Sequence, residues 1–232
     1  MKIESKPSLG IVIPALNAAP AIGDTLESLR VAGEIFDLDV LVVDGGSADD
    51  TVAISRTHGA RIISAAPGRG GQMAAGAASV AGDWLLFLHA DTRLEGDWIT
   101  AIADFVRAPE NGERAGYFHL VFDDDAPAAR RLERIAAWRA RVFGLPYGDQ
   151  GLLLSRGFYD RLGGYRTLVL MEDVDLVRRI GRQRLAALPA SARTSAERYR
   201  RSGYLRRSAR NVFCLALYYL GVPPRALRRL YG

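Results

Sequence analysis

The chain carries a single cysteine, Cys214, among 232 residues. No internal disulfide framework can therefore form, which excludes the cystine-stapled secreted class and makes a reducing cytoplasm the expected compartment. Cys214 lies in an apolar run, where a packed thiol is expected rather than a reactive one. An apolar stretch of the roughly 20 residues that cross a bilayer is also missing. No charged-then-apolar leader opens the chain, and Met1 to Ser8 reads as a polar lead-in to a strand. There is no internal repeat and no low-complexity linker. The Gly-rich segment Pro67-Gly68-Arg69-Gly70-Gly71 follows neither the dinucleotide G-x-G-x-x-G pattern nor the lysine-bearing P-loop. Acids are nearly absent from one end. Residues 178–232 hold 14 arginines and one acid, Glu197, whereas residues 1–177 hold 17 basic and 25 acidic side chains. This asymmetry implies an anionic partner for the basic end, with the phosphates of a lipid surface, a nucleotide or a nucleic acid as the candidates. The stretch Arg178 to Arg193 lacks interleaved aromatics, which argues against single-stranded nucleic acid.

What is present reads as alternating strands and helices. Leu9 to Ile13 is a continuous apolar, β-branched run ending at Pro14, as in a buried parallel strand. Pro20 opens a helix with Ile22, Leu26 and Leu29 on one face. Val40–Val43, Arg61–Ile63 and Trp84–Leu88 are further strands, and Trp98–Val106 is a helix. Ser47 followed by Asp50 suggests a capping arrangement before the second helix. The order predicts an α/β fold with a doubly wound, mostly parallel sheet. After Pro109 the rhythm changes. Tyr117–Phe122 predicts a strand and Asp123-Asp124-Asp125 a turn. Ala128–Phe143 predicts an amphipathic helix with Leu132, Ile135, Ala136, Trp138 and Val142 apolar. Gly151–Leu154 predicts a strand and Glu172–Ile180 a helix. The run Asn211–Leu220 is flanked by Arg206, Arg207, Arg210, Arg225, Arg228 and Arg229. Such a segment either docks on the core or lies in a membrane interface.

The residues that can carry chemistry sit where an open α/β sheet presents ligand groups, beyond the carboxyl ends of its strands. Asp44 follows the second strand and can accept hydrogen bonds from a nucleobase or ribose; Asp-Gly-Gly-Ser is equally good turn chemistry. Arg69, in the Gly-rich loop before a helix, is placed to meet phosphate oxygens. Asp91 follows the fourth strand, and strand alternation puts His89 on the same side. A hard divalent cation, Mg²⁺ or Mn²⁺, needs as little as one carboxylate when substrate phosphates complete its shell. Glu172, Asp173 and Asp175 crowd three carboxylates together, which can raise one pKa toward that of a base.

Taken in order, Ile13-Pro14-Ala15-Leu16-Asn17, Val43-Asp44-Gly45-Gly46-Ser47-Ala48-Asp49-Asp50-Thr51, Leu88-His89-Ala90-Asp91-Thr92 and Met171-Glu172-Asp173 resemble the family 2 glycosyltransferases of the GT-A fold. The likeness runs from about Ser8 to Leu188 and is greatest to a small bacterial subgroup with a His-Ala-Asp motif and a Gly221-Val222-Pro223-Pro224 ending. It implies one glycosyltransferase domain over 1–232. Residues 1–110 would be the nucleotide-binding half, 111–190 the acceptor half and 191–232 a basic helical segment. Pro14, Ala15 and Asn17 would line the nucleotide pocket, with Asp44 reading the base. Asp91 would match the second acid of the metal motif, with His89 standing in place of the first. Asp173 would be the base, and Asp149 and Gln150 would line the sugar and acceptor region. The implied reaction is inverting transfer of one sugar from a UDP- or GDP-linked donor, because the Gln-x-x-Arg-Trp pattern of chain-extending polymerases is absent. The acceptor is undefined, a lipid-linked one being an option. The protein would then be cytoplasmic, with peripheral attachment to the inner membrane face as a variant. A sugar-phosphate nucleotidyltransferase would need a lysine-bearing triphosphate loop after the first strand, where Pro14-Ala15-Leu16-Asn17-Ala18-Ala19-Pro20 stands instead. A non-enzymatic nucleotide- or membrane-binding adaptor is the remaining alternative.

Overall fold

A computed structural model describes residues 6–231. The first half follows the predicted order: β1 (Ser8–Ala15), α1 (Ala19–Leu29), β2 (Asp37–Asp44), α2 (Thr51–Thr57), β3 (Arg61–Ser64), α3 (Arg69–Ser79), β4 (Trp84–Phe87), β5 (Thr92–Glu95) and α4 (Trp98–Arg107). The second half contains β6 (Ala115–Phe122), α5 (Pro127–Phe143), β7 (Leu152–Ser155), α6 (Arg156–Arg161), α7 (Glu172–Ile180), β8 (Leu185–Thr194), α8 (Glu197–Ser202), α9 (Tyr204–Tyr219) and α10 (Pro224–Tyr231). One eight-stranded sheet runs through both halves in the order β3-β2-β1-β4-β7-β6-β8-β5. The pairs β3–β2, β2–β1, β1–β4 and β6–β8 are parallel. β4–β7, β7–β6 and β8–β5 are antiparallel. The sheet is thus the expected doubly wound parallel unit with a mixed extension, the arrangement of the GT-A fold.

Alternation along the central strands sorts their side chains between two cores. Ile11, Ile13, Val42 and Leu86 face the α1 and α4 side with Ile22, Leu26, Trp98 and Ile102. Val12, Leu41, Val43, Leu85 and Phe87 face the α3, α6 and α7 side with Met73, Phe158, Leu176 and Ile180. Helix α3 lies so close that a Cβ on Gly76 would come within 2.3 Å of a Val12 methyl and 2.9 Å of a Val43 methyl. Such an approach positions the start of α3 over the ends of β1 and β2, beside the switch point where β2 and β4 leave β1 in opposite directions.

Two local expectations are corrected. Ser47 and Asp50 form no capping box: Asp50 makes no side-chain cap, and Asp49 Oδ1 instead accepts from the Thr51 amide at 3.1 Å. Thr92 begins a short strand and pairs across to Thr194, hydroxyl to hydroxyl at 3.1 Å. Helix α5 buries its alanines, Ala129, Ala136 and Ala140, and leaves Ile135 and Trp138 half exposed. Small residues let α5 lie close to its neighbours, so its larger apolar side chains point outward. At the C-terminal end, Cys214 of α9 and Leu227 of α10 are buried with Leu145, Leu170, Met171, Val174 and Val177. Among the described residues no helix is long and apolar enough to cross a membrane.

Candidate active site

The loops at the carboxyl ends of β1, β2 and β4 converge, as the switch-point geometry requires, and are tied to one another before any ligand is considered. Asn17 holds a left-handed backbone (φ 50°), uncommon for a side chain-bearing residue. This turns its amide toward Ser47 Oγ (2.9 Å) and its Oδ1 toward the Ala48 amide (2.9 Å). The Ala18 amide donates to Thr51 Oγ1 at 2.7 Å and the Ala19 amide to Asp49 Oδ2 at 3.1 Å. Gln72, in the first turn of α3, donates from Nε2 to the carbonyls of Ala15 (2.9 Å) and Val43 (2.8 Å), and its Oε1 accepts from the Gly68 amide (3.2 Å). One buried amide therefore clamps two strand ends to the Gly-rich loop.

Two joined cavities open over these loops. The outer cleft, about 430 Å³, is walled by Pro14, Ala15 and Asn17 on one side and by Gly68, Arg69 and Gln72 on another. The inner pocket, about 120 Å³, is walled by Tyr147, Gly148, Asp149, Glu172 and Asp173. Arg69, His89, Asp91, Ser195 and Arg198 border both. Asp44 borders neither: it is buried, and its carboxylate accepts from the amides of its own turn, Gly46 at 3.0 Å and Ser47 at 3.2 Å. Gln150 also stands behind the wall. Its Nε2 donates to the Phe118 carbonyl (3.0 Å), while its Oε1 accepts from Arg139 and the Tyr147 amide (3.3 Å each), shaping the Gly148–Gln150 turn.

The acidic start of α7 resolves into separate roles. Met171 precedes it in a left-handed conformation (φ 66°), the second non-glycine of this kind in the described chain, and again at the site. Asp175 is claimed by Arg166 (3.0 Å) and Arg179 (2.6 Å) and borders neither cavity. Glu172 is buried and pairs with Arg69 Nε at 3.1 Å; burial raises its pKa, opposed by Arg69 and reinforced by Asp173. Asp173 faces the inner pocket, with Oδ2 accepting from the Gly148 amide (2.9 Å) and Oδ1 from the Val174 amide (2.8 Å). Each oxygen retains a lone pair for a substrate hydroxyl.

Opposite lies His89, whose Nε2 is buried without a hydrogen-bond partner. Burial, then the charges of Arg69 and Arg198, push its pKa down to about 3, so the imidazole is neutral at pH 7. The ring is close enough that a Cβ on Gly148 would lie 2.7 Å from Nε2 and 3.5 Å from Asp173 Oδ2. Asp149 Oδ1 is likewise buried without a partner. Burial raises the Asp149 carboxyl to about 6; Arg139 opposes this, and Asp173 and Asp91 add to it. A neutral imidazole with an unused nitrogen, beside Asp91, fits a divalent cation. Among the described residues no cluster of three or more protein ligands is present, so substrate oxygens would have to complete its shell. Ser195, Arg198 and Gln72 were not singled out in the sequence. The first two follow β8 and reach the site only because β8 pairs beside β5 and β6.

Known proteins similar to this chain in sequence and in fold include glycosyltransferases. A PGL/p-HBAD biosynthesis glycosyltransferase of Mycobacterium bovis (strain BCG / Pasteur) is 34% identical over 171 residues, 68% of this chain and 63% of that protein. A glucosyl-3-phosphoglycerate synthase of Mycolicibacterium paratuberculosis is 26% identical over 132 residues, 47% of this chain and 40% of that one. The chain thus spans 63% or less of the length of these relatives. In fold it resembles the Mycobacterium tuberculosis glucosyl-3-phosphoglycerate synthase solved with Mn²⁺ and UDP-glucose (TM-score 0.57, 19% identity, 82% of this chain and 70% of that). It also resembles the Pyrobaculum calidifontis mannosyltransferase PcManGT solved with GDP-Man and Mn²⁺ (TM-score 0.61, 19% identity, 87% and 63%). From β1 into the loop beyond α6, residues 10–167 match the family description "Glycosyl transferase family 2", and with the ends of β1, β2 and β4 all inside that match, the chain belongs to this family.

Proposed function

We propose that this chain transfers a single sugar from a nucleotide-diphosphate sugar to a hydroxyl acceptor with inversion at the anomeric carbon, Asp173 acting as general base. The observation that carries this reading is the division of labour at α7. Of three neighbouring carboxylates, Asp175 and Glu172 are held by arginines, and only Asp173 meets the inner pocket while held by backbone amides alone. It faces the His89–Asp91 corner where the two cavities join.

The volume of the outer cleft suits a nucleotide-sized ligand. Pro14, Ala15 and Asn17 form the wall against which a nucleoside would stack, and Asp44 sets the shape of the loop behind it. Arg69, at the junction, faces the diphosphate position and is itself aligned by Glu172. Asp91 and neutral His89 would hold a divalent cation, Mn²⁺ or Mg²⁺, which when bound offsets charge on the departing diphosphate. The sugar then sits toward the inner pocket, where Asp149 Oδ1, buried and unpartnered, is positioned to accept from a sugar or acceptor hydroxyl. Asp173 accepts the acceptor proton as the oxygen attacks the anomeric carbon from the face opposite the diphosphate. The backbone amides of Gly148 and Val174 fix the carboxylate for that step. His-Ala-Asp in place of an acidic pair supports membership of the small subgroup with that motif.

Calorimetric titration of UDP and GDP, with and without Mn²⁺, tests the donor site. One nucleotide is expected to bind in a metal-dependent way to the wild type and not to Asp91→Ala. Binding of neither nucleotide under any condition would sink the reading.

A further inference from the structure

We infer that the outer face of the α9–α10 hairpin seats on an anionic lipid surface. Cys214 and Leu227, buried in one cluster, fix which sides of the two helices face the protein. At about 100° per residue, Leu205, Val212, Ala216 and Tyr219 fall within about 40° of the direction opposite Cys214. Phe213 and Leu220 border that strip. The strip and its border are open to solvent: Leu205 is 85% exposed, Val212 64% and Leu220 81%. The helix thus carries apolar side chains on the side that meets water as well as on its buried side, unlike an ordinary surface helix. Contiguous apolar faces of this kind mark interaction surfaces.

Charge identifies the partner. On α10, Arg225 and Arg229 lie within about 20° of the direction opposite Leu227, so they point outward beside the apolar strip. Arg206 is exposed at the strip's edge. The one acid among residues 178–232, Glu197, is turned the other way and borders the outer cleft. The neighbouring helix α5 repeats the combination, with Ile135 and Trp138 exposed among Arg131, Arg134 and Arg141. Ala129 and Ala136 of that helix share a cluster with Tyr199 of α8 and Tyr204 of α9. An apolar strip flanked by arginines, with the acids that reach these helices (Asp123 and Asp124) already held by Arg200 and the Tyr204 hydroxyl, fits the headgroup region of an anionic bilayer, where apolar side chains enter the acyl boundary and arginines meet phosphate. A protein partner of matching shape would need a long acidic-rimmed apolar groove; the lipid surface needs only its bulk properties. The inference does not depend on the transferase reading, because its readout is lipid binding. If both hold, a hydroxyl acceptor anchored in the bilayer is presented to the pocket that Arg207 and Asn211 of α9 wall together with Arg198 and Tyr199 of α8.

The test is flotation of the full chain with vesicles of phosphatidylcholine containing phosphatidylglycerol, against pure phosphatidylcholine, at low and high salt. The wild type is expected to float with the anionic vesicles at low salt, weakly at 0.5 M salt (about a 4 Å Debye length), and not with the neutral ones. Arg225→Gln/Arg229→Gln is expected to bind roughly 30-fold more weakly, each basic residue near such a surface contributing about fivefold. Leu205→Gln/Val212→Gln/Leu220→Gln should lose binding with unchanged circular dichroism, since these side chains are exposed; the arginine pair keeps the test decisive should the triple variant misfold. Failure of the wild type to float, or wild-type binding by both variants, would overturn the inference. So would a wild-type dimer in sedimentation that the triple glutamine variant dissociates, because the face would then belong to a second copy.

Discussion

Asp149→Asn should make the protein more stable and less active, and the size of the gain can be worked from the site. The Asp149 carboxyl sits at about 6 in the folded chain against 3.8 for the unperturbed group. Because the folded value is raised, the native state resists ionisation. That destabilisation is absent at low pH, develops as pH rises above 3.8, and is complete above about 6. The difference corresponds to about 3 kcal/mol at pH 8. An asparagine carries no charge to desolvate but leaves amide hydrogens in the same confined position, which costs about 1–3 kcal/mol if they find no acceptor. A net gain of about 1 kcal/mol or more remains where Asp173 accepts from the new amide, equal to a rise in melting temperature of roughly 2–4 °C in a chain of this size. Thermal unfolding of wild type and variant at pH 8 and pH 4 measures it. His89 titrates in the opposite sense: its folded value is depressed to about 3, so stability falls as pH drops below 6.5. Comparing the two proteins at each pH removes that contribution. A variant no more stable than wild type at pH 8, or one with the same gain at pH 4, would refute the reasoning. Transfer activity measured in parallel should fall, as expected where a strained polar group is retained for function.

Asp173→Asn should lower transfer by roughly 10²–10⁴-fold while leaving nucleotide binding intact, and near wild-type turnover would remove its assignment as base. Gly148→Ala places a methyl 2.7 Å from His89 Nε2 and 3.5 Å from Asp173 Oδ2, so turnover and metal-dependent nucleotide binding should both drop; an unchanged calorimetric titration would show that this corner is not used. Gln72→Leu removes two buried side-chain hydrogen bonds, to the Ala15 and Val43 carbonyls, at a cost of about 1–3 kcal/mol, the Ala15 carbonyl keeping the Gly45 amide at 2.8 Å. Its melting temperature should fall sharply, and a fall under about 2 °C would mean that water replaces the amide.

The half of the fold built on continuous apolar strands was legible because burial on both faces forces an unbroken β-branched run, as in Leu9–Ile13 and Val40–Val43. Helix α7 was legible to the residue, Glu172 to Ile180, from its acidic start and helical spacing. β8 was not. Its sequence, Leu-Ala-Ala-Leu-Pro-Ala-Ser-Ala-Arg-Thr, has small residues and an internal proline, and it becomes a strand by pairing with β6 and β5. β5 is four residues long and carries no periodicity that could be read alone. At the site, the residues beyond strand ends were readable, since position after a strand already implies exposure to the cleft. What Asp44, Gln72 and Gln150 do was not, because it depends on which distant carbonyl or amide each one meets. Likewise the sequence marked three carboxylates at α7, and only the arginines that hold Asp175 and Glu172 separate them from Asp173.

Helix α9 has two occupied sides. Arg207 and Asn211 look into the inner pocket, while Leu205 and Val212 look outward, on a rod of 16 residues that is about 24 Å long. A helix moves as a unit, so a shift imposed on one side is delivered to the other. Thermodynamic linkage then sets a symmetry: if seating the outer side changes affinity for a ligand in the pocket, filling the pocket changes affinity for the surface by the same factor. An enzyme built this way would sense where it is, through the wall of its own substrate chamber.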